Sequence, residues 1–397
     1  MKCLVLASEY PPAKGGIGNA TATFAKEMTR RGWCIDICSA HLPGMLDEEQ
    51  VEEGTIHRLR LRGDASLWSP LGGEVARFGQ ILQDCKPDVV VIHGWPGWCV
   101  LLVPRIHDAG IPVILQSHGF GFHRVSWNPI PPFGLKVWAG YQPFIWRLPR
   151  FIKRLHALVV LSKQAEFKLS FDHWMGEKFH CPGVITIPNG VPKVTGSKDN
   201  FLELCPQARG KKLVLCVANY CDRKNQLLGL EIANLMTRLD VFFVFIGAEK
   251  NEYTARMREK LVQFDLSDRV ALFSGLSREM TEAAIVACDL ALMTSKWEMQ
   301  PLFLLEAMSI GKPWVSTHVG SVSELQGGLI ATRDSVAMAE KIGMLLDNAE
   351  LASRFSSAGS IQWIAEYEPS VVYQQWEALL LSAIPGTQPR PFTPLLS

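Results

Sequence analysis

The 397-residue sequence is short of several things. Its 40 Lys and Arg stand against 39 Asp and Glu, a formal net charge of +1. That balance gives no argument for nucleic acid, which calls for a basic domain. No stretch reaches the ~20 uncharged apolar residues that a membrane span needs. The opening M-K-C-L-V-L-A-S-E-Y-P-P is interrupted by Glu9 before it can serve as a signal-peptide core. A cytoplasmic protein is expected, with the inner face of a membrane as its furthest reach. No internal repeat of fixed period is present. None of the ten cysteines forms a C-x-x-C pair, and without an export signal reduced thiols are the default. Cys3, Cys34, Cys38, Cys216 and Cys288 lie in or beside apolar runs, where free Cys behaves as a small hydrophobe. Cys216 and Cys221 have no His or second pair to complete a metal site, so no metal is expected.

What is there is ordinary globular material, 48% hydrophobic and 20% charged, with a length that favours two domains. Short apolar runs recur, each followed by a polar or glycine-bearing loop and a helical pattern. In the first half they are Cys3–Ala7, Cys34–Cys38, Val89–Ile92, Val113–Leu115, Leu158–Leu161 and Val184–Ile187. In the second they are Leu213–Val217, Val241–Ile246, Val270–Phe273, Leu290–Met293 and Trp314–Ser316. Continuous apolar runs separated by helices indicate parallel strands covered on both faces. The pattern predicts an α/β protein of two Rossmann-like, doubly wound domains facing a central cleft. Expected boundaries are 1–192 and 193–368, then a helix over 369–385 and an irregular tail over 386–397. The polar segment 191–200, V-P-K-V-T-G-S-K-D-N, reads as a linker. Asn19 or Thr21 is the expected cap of a helix running to Arg31 and ended by Gly32. Pro301 should open another helix, closed by Gly311 and Pro313.

Ligands of open parallel sheets bind outside the carboxyl ends of the strands. The segments found there are polar, glycine-rich and charged: E-Y-P-P-A-K-G-G-I-G, H-G-W, S-H-G-F-G, S-K, P-N-G, N-Y-C-D-R-K-N, G-A-E-K and S-K-W-E. Gly15 and Gly16, ahead of a helix, can admit an anion to backbone amides at a helix N-terminus; a surface turn is the plain alternative. Seven residues separate strand one from these glycines, and strand two ends in Cys38-Ser39-Ala40 rather than an acid, which argues against a nicotinamide enzyme. Arg223 and Lys224 can neutralise a diphosphate or simply face water. His118 can hydrogen-bond a sugar or phosphate oxygen, or move a proton, with His93 and His123 as competitors.

Glu298 and Glu306 stand in the otherwise apolar stretch S-K-W-E-M-Q-P-L-F-L-L-E-A-M-S-I-G-K-P. A carboxylate there is costly unless hydrogen-bonded. Gln300 precedes a proline and is biased away from helix, which places Glu298 on a loop and Glu306 in a helix. An offset of about 10 Å favours two separate hydroxyl acceptors over a general acid/base pair; a structural salt bridge is the remaining option. Residues 133–155 interleave aromatics with Lys136, Arg147, Arg150, Lys153 and Arg154, which suits an anionic membrane surface and, equally, core packing beside an acceptor groove.

In order along the chain, E-Y-P-P-A-K-G-G-I-G, S-H-G, V-L-S-K, I-P-N-G-V, D-R-K-N and E-x7-E-A-M-S-I-G-K-P-W-V-S-T-H-V-G-S-V-S-E resemble glycosyltransferase family four. The resemblance implies a retaining, metal-independent enzyme of GT-B fold, without cofactor. It would move a sugar from a nucleoside diphosphate sugar, UDP or GDP, to a glycan or lipid-linked acceptor hydroxyl in polysaccharide, lipopolysaccharide or glycolipid assembly. Glu306 would hold the ribose and Glu298 a hydroxyl of the transferred sugar. Amides near Met299, Gln300 and Leu302 would contact sugar or phosphate, Gly15 and Gly16 would lie near the diphosphate, Arg223 and Lys224 would neutralise it, and His118 would sit at the reaction centre. Tyr367, Tyr373 and Trp376 resemble the segment that returns to the first domain. Met299-Gln300 replaces the family's Gly-Phe, Ala218-Asn219 stands where its separated cation is usual, and Ser321-Val322 follow Gly320. An epimerase or phosphorylase on the same fold, or a non-catalytic membrane-associated nucleotide-sugar binder, are the alternatives.

Overall fold

The computed structural model describes residues 1–7, 9–12, 16–61, 73–94, 98–119, 146–162, 171–248 and 250–387. Gly15, His123, Lys163 and residues 120–145 lie outside them. The chain divides into two compact units, Met1–Gly190 together with the chain from Val372 onward, and Val191–Val371.

Unit 1 is built on an eight-stranded sheet. Its strands are β1 (Lys2–Ala7), β2 (Cys34–Ala40), β3 (Glu48–Val51), β4 (Gly54–Leu59), β5 (Val89–His93), β6 (Val113–Gln116), β7 (Ala157–Val160) and β8 (Val184–Thr186), in the order β3-β4-β2-β1-β5-β6-β7-β8. All neighbours are parallel except β3 and β4. Successive side chains point to opposite faces, and both faces are covered. Leu4, Leu6, Val90 and Ile92 enter one core cluster; Cys3, Val5, Val89 and Val91 enter the other. That two-sided burial is why the runs are continuous rather than alternating.

Unit 2 has six parallel strands, β9 (Lys212–Val217), β10 (Val241–Gly247), β11 (Val270–Ser274), β12 (Leu290–Met293), β13 (Trp314–Thr317) and β14 (Gly328–Ala331), in the order β11-β10-β9-β12-β13-β14. This is the 3-2-1-4-5-6 order of a doubly wound sheet, whose direction of winding reverses between β9 and β12. In unit 1 the same reversal falls between β1 and β5. Trp314 is wholly buried beside Met308 and Trp363; burying one such side chain contributes roughly 2–3 kcal/mol.

Several expectations are corrected. The sequence runs missed β3, β4 and β14, and β3 breaks the all-parallel pattern. The first helix spans Gly16–Arg30, so neither Asn19 nor Thr21 caps it; the Thr21 hydroxyl donates inside the helix to the Ile17 carbonyl, 2.8 Å. Gly32 does end it, at φ +85. The proposed linker is tied down: the Val191 amide donates to the Tyr367 carbonyl at 2.9 Å and the Val194 amide to Ser309 Oγ at 3.1 Å. A helix already begins at Lys198. The second predicted helix spans Leu302–Met308, with Pro301 just before it and Gly311 at φ +68 after it. Among the described residues no helix is long and apolar enough to cross a membrane. Of the 133–155 stretch, Leu148, Phe151, Ile152 and Leu155 are core residues, while Trp146 is 81% exposed beside exposed Arg147 and Arg150.

Candidate active site

The loops after β9 and β12 flank the winding reversal of unit 2, and hydrogen bonds stitch them together. The Lys296 amide donates to the Arg223 carbonyl at 2.7 Å, and the Thr294 hydroxyl to the Lys224 carbonyl at 3.0 Å. The Thr317 hydroxyl fixes the Ser295 carbonyl at 2.6 Å. Asn225 adopts a left-handed conformation, φ +54, and the next helix starts at Gln226. The Gln226 amide group donates back to the Ala218 and Asn219 carbonyls at 3.1 and 3.0 Å.

This frame brings Arg223, Lys224 and Glu298 together. The Lys224 ammonium and the Ser295 hydroxyl (2.9 Å) both donate to Glu298 Oε1, and Arg223 Nη1 lies 3.7 Å from Oε2. Glu298 is 6% exposed, so its charge is tolerated because these donors surround it. The Arg223 guanidinium also lies over the Trp297 ring, 5.5 Å from its centroid. Behind the loop, Gly320 sits at φ +56 and a Cβ there would meet the Glu298 carbonyl oxygen at 2.4 Å. Only glycine permits that approach. The Ser321 amide takes advantage of it and donates to the Met299 carbonyl at 2.9 Å.

Glu306 is held differently. Arg278, first residue of the helix Arg278–Ala287, donates from Nη1 to Glu306 Oε1 at 2.6 Å and from Nε to Glu282 Oε1 at 2.7 Å. Burial pushes the Glu306 carboxyl up from its usual range, and Arg278 pulls it back. Both glutamates thus sit in ion pairs, the arrangement left open as a structural salt bridge. Leu302 opens the helix that carries Glu306; Met299 is half-buried and Gln300 buried.

In unit 1, Gly16 is exposed at the N-terminus of its helix. His118 Nε2 lies 3.4 Å from His93 Nδ1, with the rings stacked at 5.7 Å between centroids. Burial lowers the His118 pKa to about 4 and holds that of His93 well below the usual imidazole range, with His118 adding to the effect on His93. Two neutral imidazoles result. Trp376, from the helix Pro369–Ala383, stacks on His93 at 6.3 Å, and Tyr373 and Trp376 meet Phe24 edge-on. Tyr367 belongs instead to the core of unit 2. Ser117 donates to the buried Asp172 carboxylate, anchoring the segment that carries His118.

Residues 15–173 match the family model "Glycosyl transferase 4-like domain", and residues 205–362 match "Glycosyl transferases group 1". The chain is a GT-B glycosyltransferase. It is 25% identical over 387 residues, 93% of its own length and 94% of the relative's, to N-acetyl-alpha-D-glucosaminyl L-malate synthase of Bacillus anthracis. It is 28% identical over 186 residues, 43% of this chain and 52% of the relative, to the lipopolysaccharide core biosynthesis mannosyltransferase LpsB of Rhizobium meliloti. Among solved structures, Anabaena Alr3699/HepE in complex with UDP superposes with a TM-score of 0.74 at 17% identity, covering 96% of this chain and all of that one. The fold is shared.

Sequence reading missed three parts of this candidate site. Arg278 follows the carboxyl end of β11 in S-G-L-S-R, a loop that inspection of every strand end would have flagged. Ser295 and Trp297 lay in a stretch read for its glutamates. No sequence signal paired Lys224 with Glu298, 74 residues apart.

Proposed function

We propose that the protein transfers a sugar from a nucleoside diphosphate sugar to an acceptor hydroxyl with retention of configuration. The observation that carries this reading is the cluster of Arg223, Lys224 and buried Glu298 across the winding reversal of a group 1 glycosyltransferase domain. A cation pair at that place suits a departing diphosphate. In the proposed reaction the acceptor oxygen bonds to the anomeric carbon on the face from which the diphosphate leaves. The bond from that carbon to the phosphate oxygen breaks, and the acceptor's proton passes to the phosphate. Arg223 and Lys224 take up the negative charge. Lys224 and Ser295 hold Glu298 so that its carboxylate meets a sugar hydroxyl, and Glu306 exchanges part of its contact with Arg278 for the ribose diol. Amides near Gly15, Gly16, Met299, Gln300 and Leu302 complete the donor contacts. His118, neutral at physiological pH, donates or accepts a hydrogen bond at the transferred sugar.

The UDP bound by the superposable Anabaena protein favours a uridine donor, and the bacterial relatives favour a small-molecule or glycolipid acceptor. Melting the protein with UDP, GDP and ADP tests the donor: the right nucleotide at a hundred times its Kd adds about 2.7 kcal/mol. Release of sugar from the matching donor, and an α-configured product from an α-configured donor, complete the expected result. Stabilisation by none of the three, with no sugar released from any of their conjugates, refutes the reading.

A further inference from the structure

A second cluster lies in unit 1, on the face of the sheet covered by the helix Glu74–Cys85. Asp36 is the third residue of β2, His57 belongs to β4, and Cys85 ends the helix. Alternation sends Asp36 to the same face as Cys38, and His57 to the same face as Leu59; Cys38, Leu59 and Cys85 are all in that face's core. One ligand atom from each of Asp36, His57 and Cys85 can be chosen so that all lie within 4.8 Å of one another. His57 Nε2 is 3.8 Å from Cys85 Sγ and 3.9 Å from Asp36 Oδ1. Bonds of about 2.0 Å to N and O and 2.3 Å to S at tetrahedral angles need separations of roughly 3.3–3.6 Å. Small side-chain shifts close that gap.

The far side of the imidazole supplies an independent observation. His57 Nδ1 is 2.8 Å from Glu48 Oε1, on the antiparallel partner β3 at the paired position. A proton donated from Nδ1 to Glu48 leaves the Nε2 lone pair directed at Asp36 and Cys85, the arrangement in which a carboxylate orients a metal-bound histidine. We propose that Asp36, His57 and Cys85 bind a divalent transition metal, zinc by its mixed N, O and S donors, with Glu48 holding the histidine. Burial, with the Asp36 carboxylate adding to it, pushes the Cys85 thiol up to about 12. Bonding to the metal replaces that proton, which leaves to solvent. Asp36 aligns with Leu4 and His93 with Ala7, so the site lies about 10 Å down the strands from the histidine pair. The ion clips β2, β4 and the helix end together and takes no part in sugar transfer.

The full-length protein, stripped with a chelator under reducing conditions, is titrated with Co2+. One equivalent should produce a thiolate-to-cobalt charge-transfer band, which Zn2+ then bleaches. Cys85→Ser should abolish the band, and Cys34→Ser, at an exposed thiol, should keep it. Glu48→Gln, on an exposed edge strand, should weaken Co2+ binding about 10–100-fold while the fold is kept. The absence of a band in the parent protein overturns the proposal. So do a band that survives Cys85→Ser, a band lost in Cys34→Ser, and a Co2+ affinity unchanged in Glu48→Gln.

Discussion

The two units solve one problem with opposite chemistry. Both place polar side chains at strand ends beside or next to the winding reversal of a parallel sheet. In unit 2 those side chains are charged, and the two glutamates are matched to cations from other elements: Glu298 to Lys224 and Arg223, Glu306 to Arg278. In unit 1 they are imidazoles, kept neutral by burial and clamped by ring stacking against Trp376. A region built to meet a diphosphate needs a positive field. A region built to meet hydroxyl groups needs hydrogen bonds and shape, and charge there would only attract water. The contrast fits a donor side in unit 2 and an acceptor side in unit 1 under the proposed reaction.

The contrast breaks most visibly if the cations go. Replacing Arg223 and Lys224 together by Ala should lower turnover by about 10²–10⁴-fold, on the scale of lost transition-state charge stabilisation. Steady-state kinetics with unchanged kcat and KM would remove both residues from the reaction. Next in size is Gly320→Ala, which forces a Cβ against the Glu298 carbonyl and strains φ +56. It should destabilise by about 2–3 kcal/mol and reduce activity more than the melting temperature alone explains; denaturant unfolding beside kcat checks both parts. Arg278→Met leaves Glu306 buried without its partner and should cost about 1–3 kcal/mol. Rescue by Arg278→Lys would show that charge matters there more than the guanidinium's fork.

The smallest effect sharpens the unit 1 side. Because folding lowers the His118 pKa from the ordinary value near 6.5 to about 4, the unfolded chain binds the extra proton between those values. Stability should therefore be complete above pH 6.5 and fall as pH drops toward 4. His118→Asn should lose a few degrees less in melting temperature over that window than the parent. Parallel pH profiles would remove the neutral-imidazole assignment.

The strands most readily read from sequence are the doubly buried ones, because only continuous apolar runs satisfy two covered faces. The missed ones have physical excuses. β3 is E-E-Q-V on an exposed edge, β4 carries His57 and Arg58 among its apolar residues, and β14 is four residues opened by glycine. Arg58 is buried all the same, paired with Glu49 at 2.7 Å, a contact no composition rule anticipates. In the site, loop position made Arg223, Lys224, Glu298 and His118 candidates beside plainer readings, and the family resemblance gave them their roles. Arg278, which pairs with Glu306 28 residues on, went unread because the two meet only through the fold.

By itself the sequence determined the class of the protein: periodicity dictates buried parallel strands, and strand ends dictate where polar chemistry collects. Tertiary structure decided which charge answers which. Lys224 and Glu298 are joined because β9 and β12 are neighbours in the sheet, although three crossovers separate them along the chain. Burial then makes each pairing obligatory, since a carboxylate removed from water must find a donor wherever the fold has brought one.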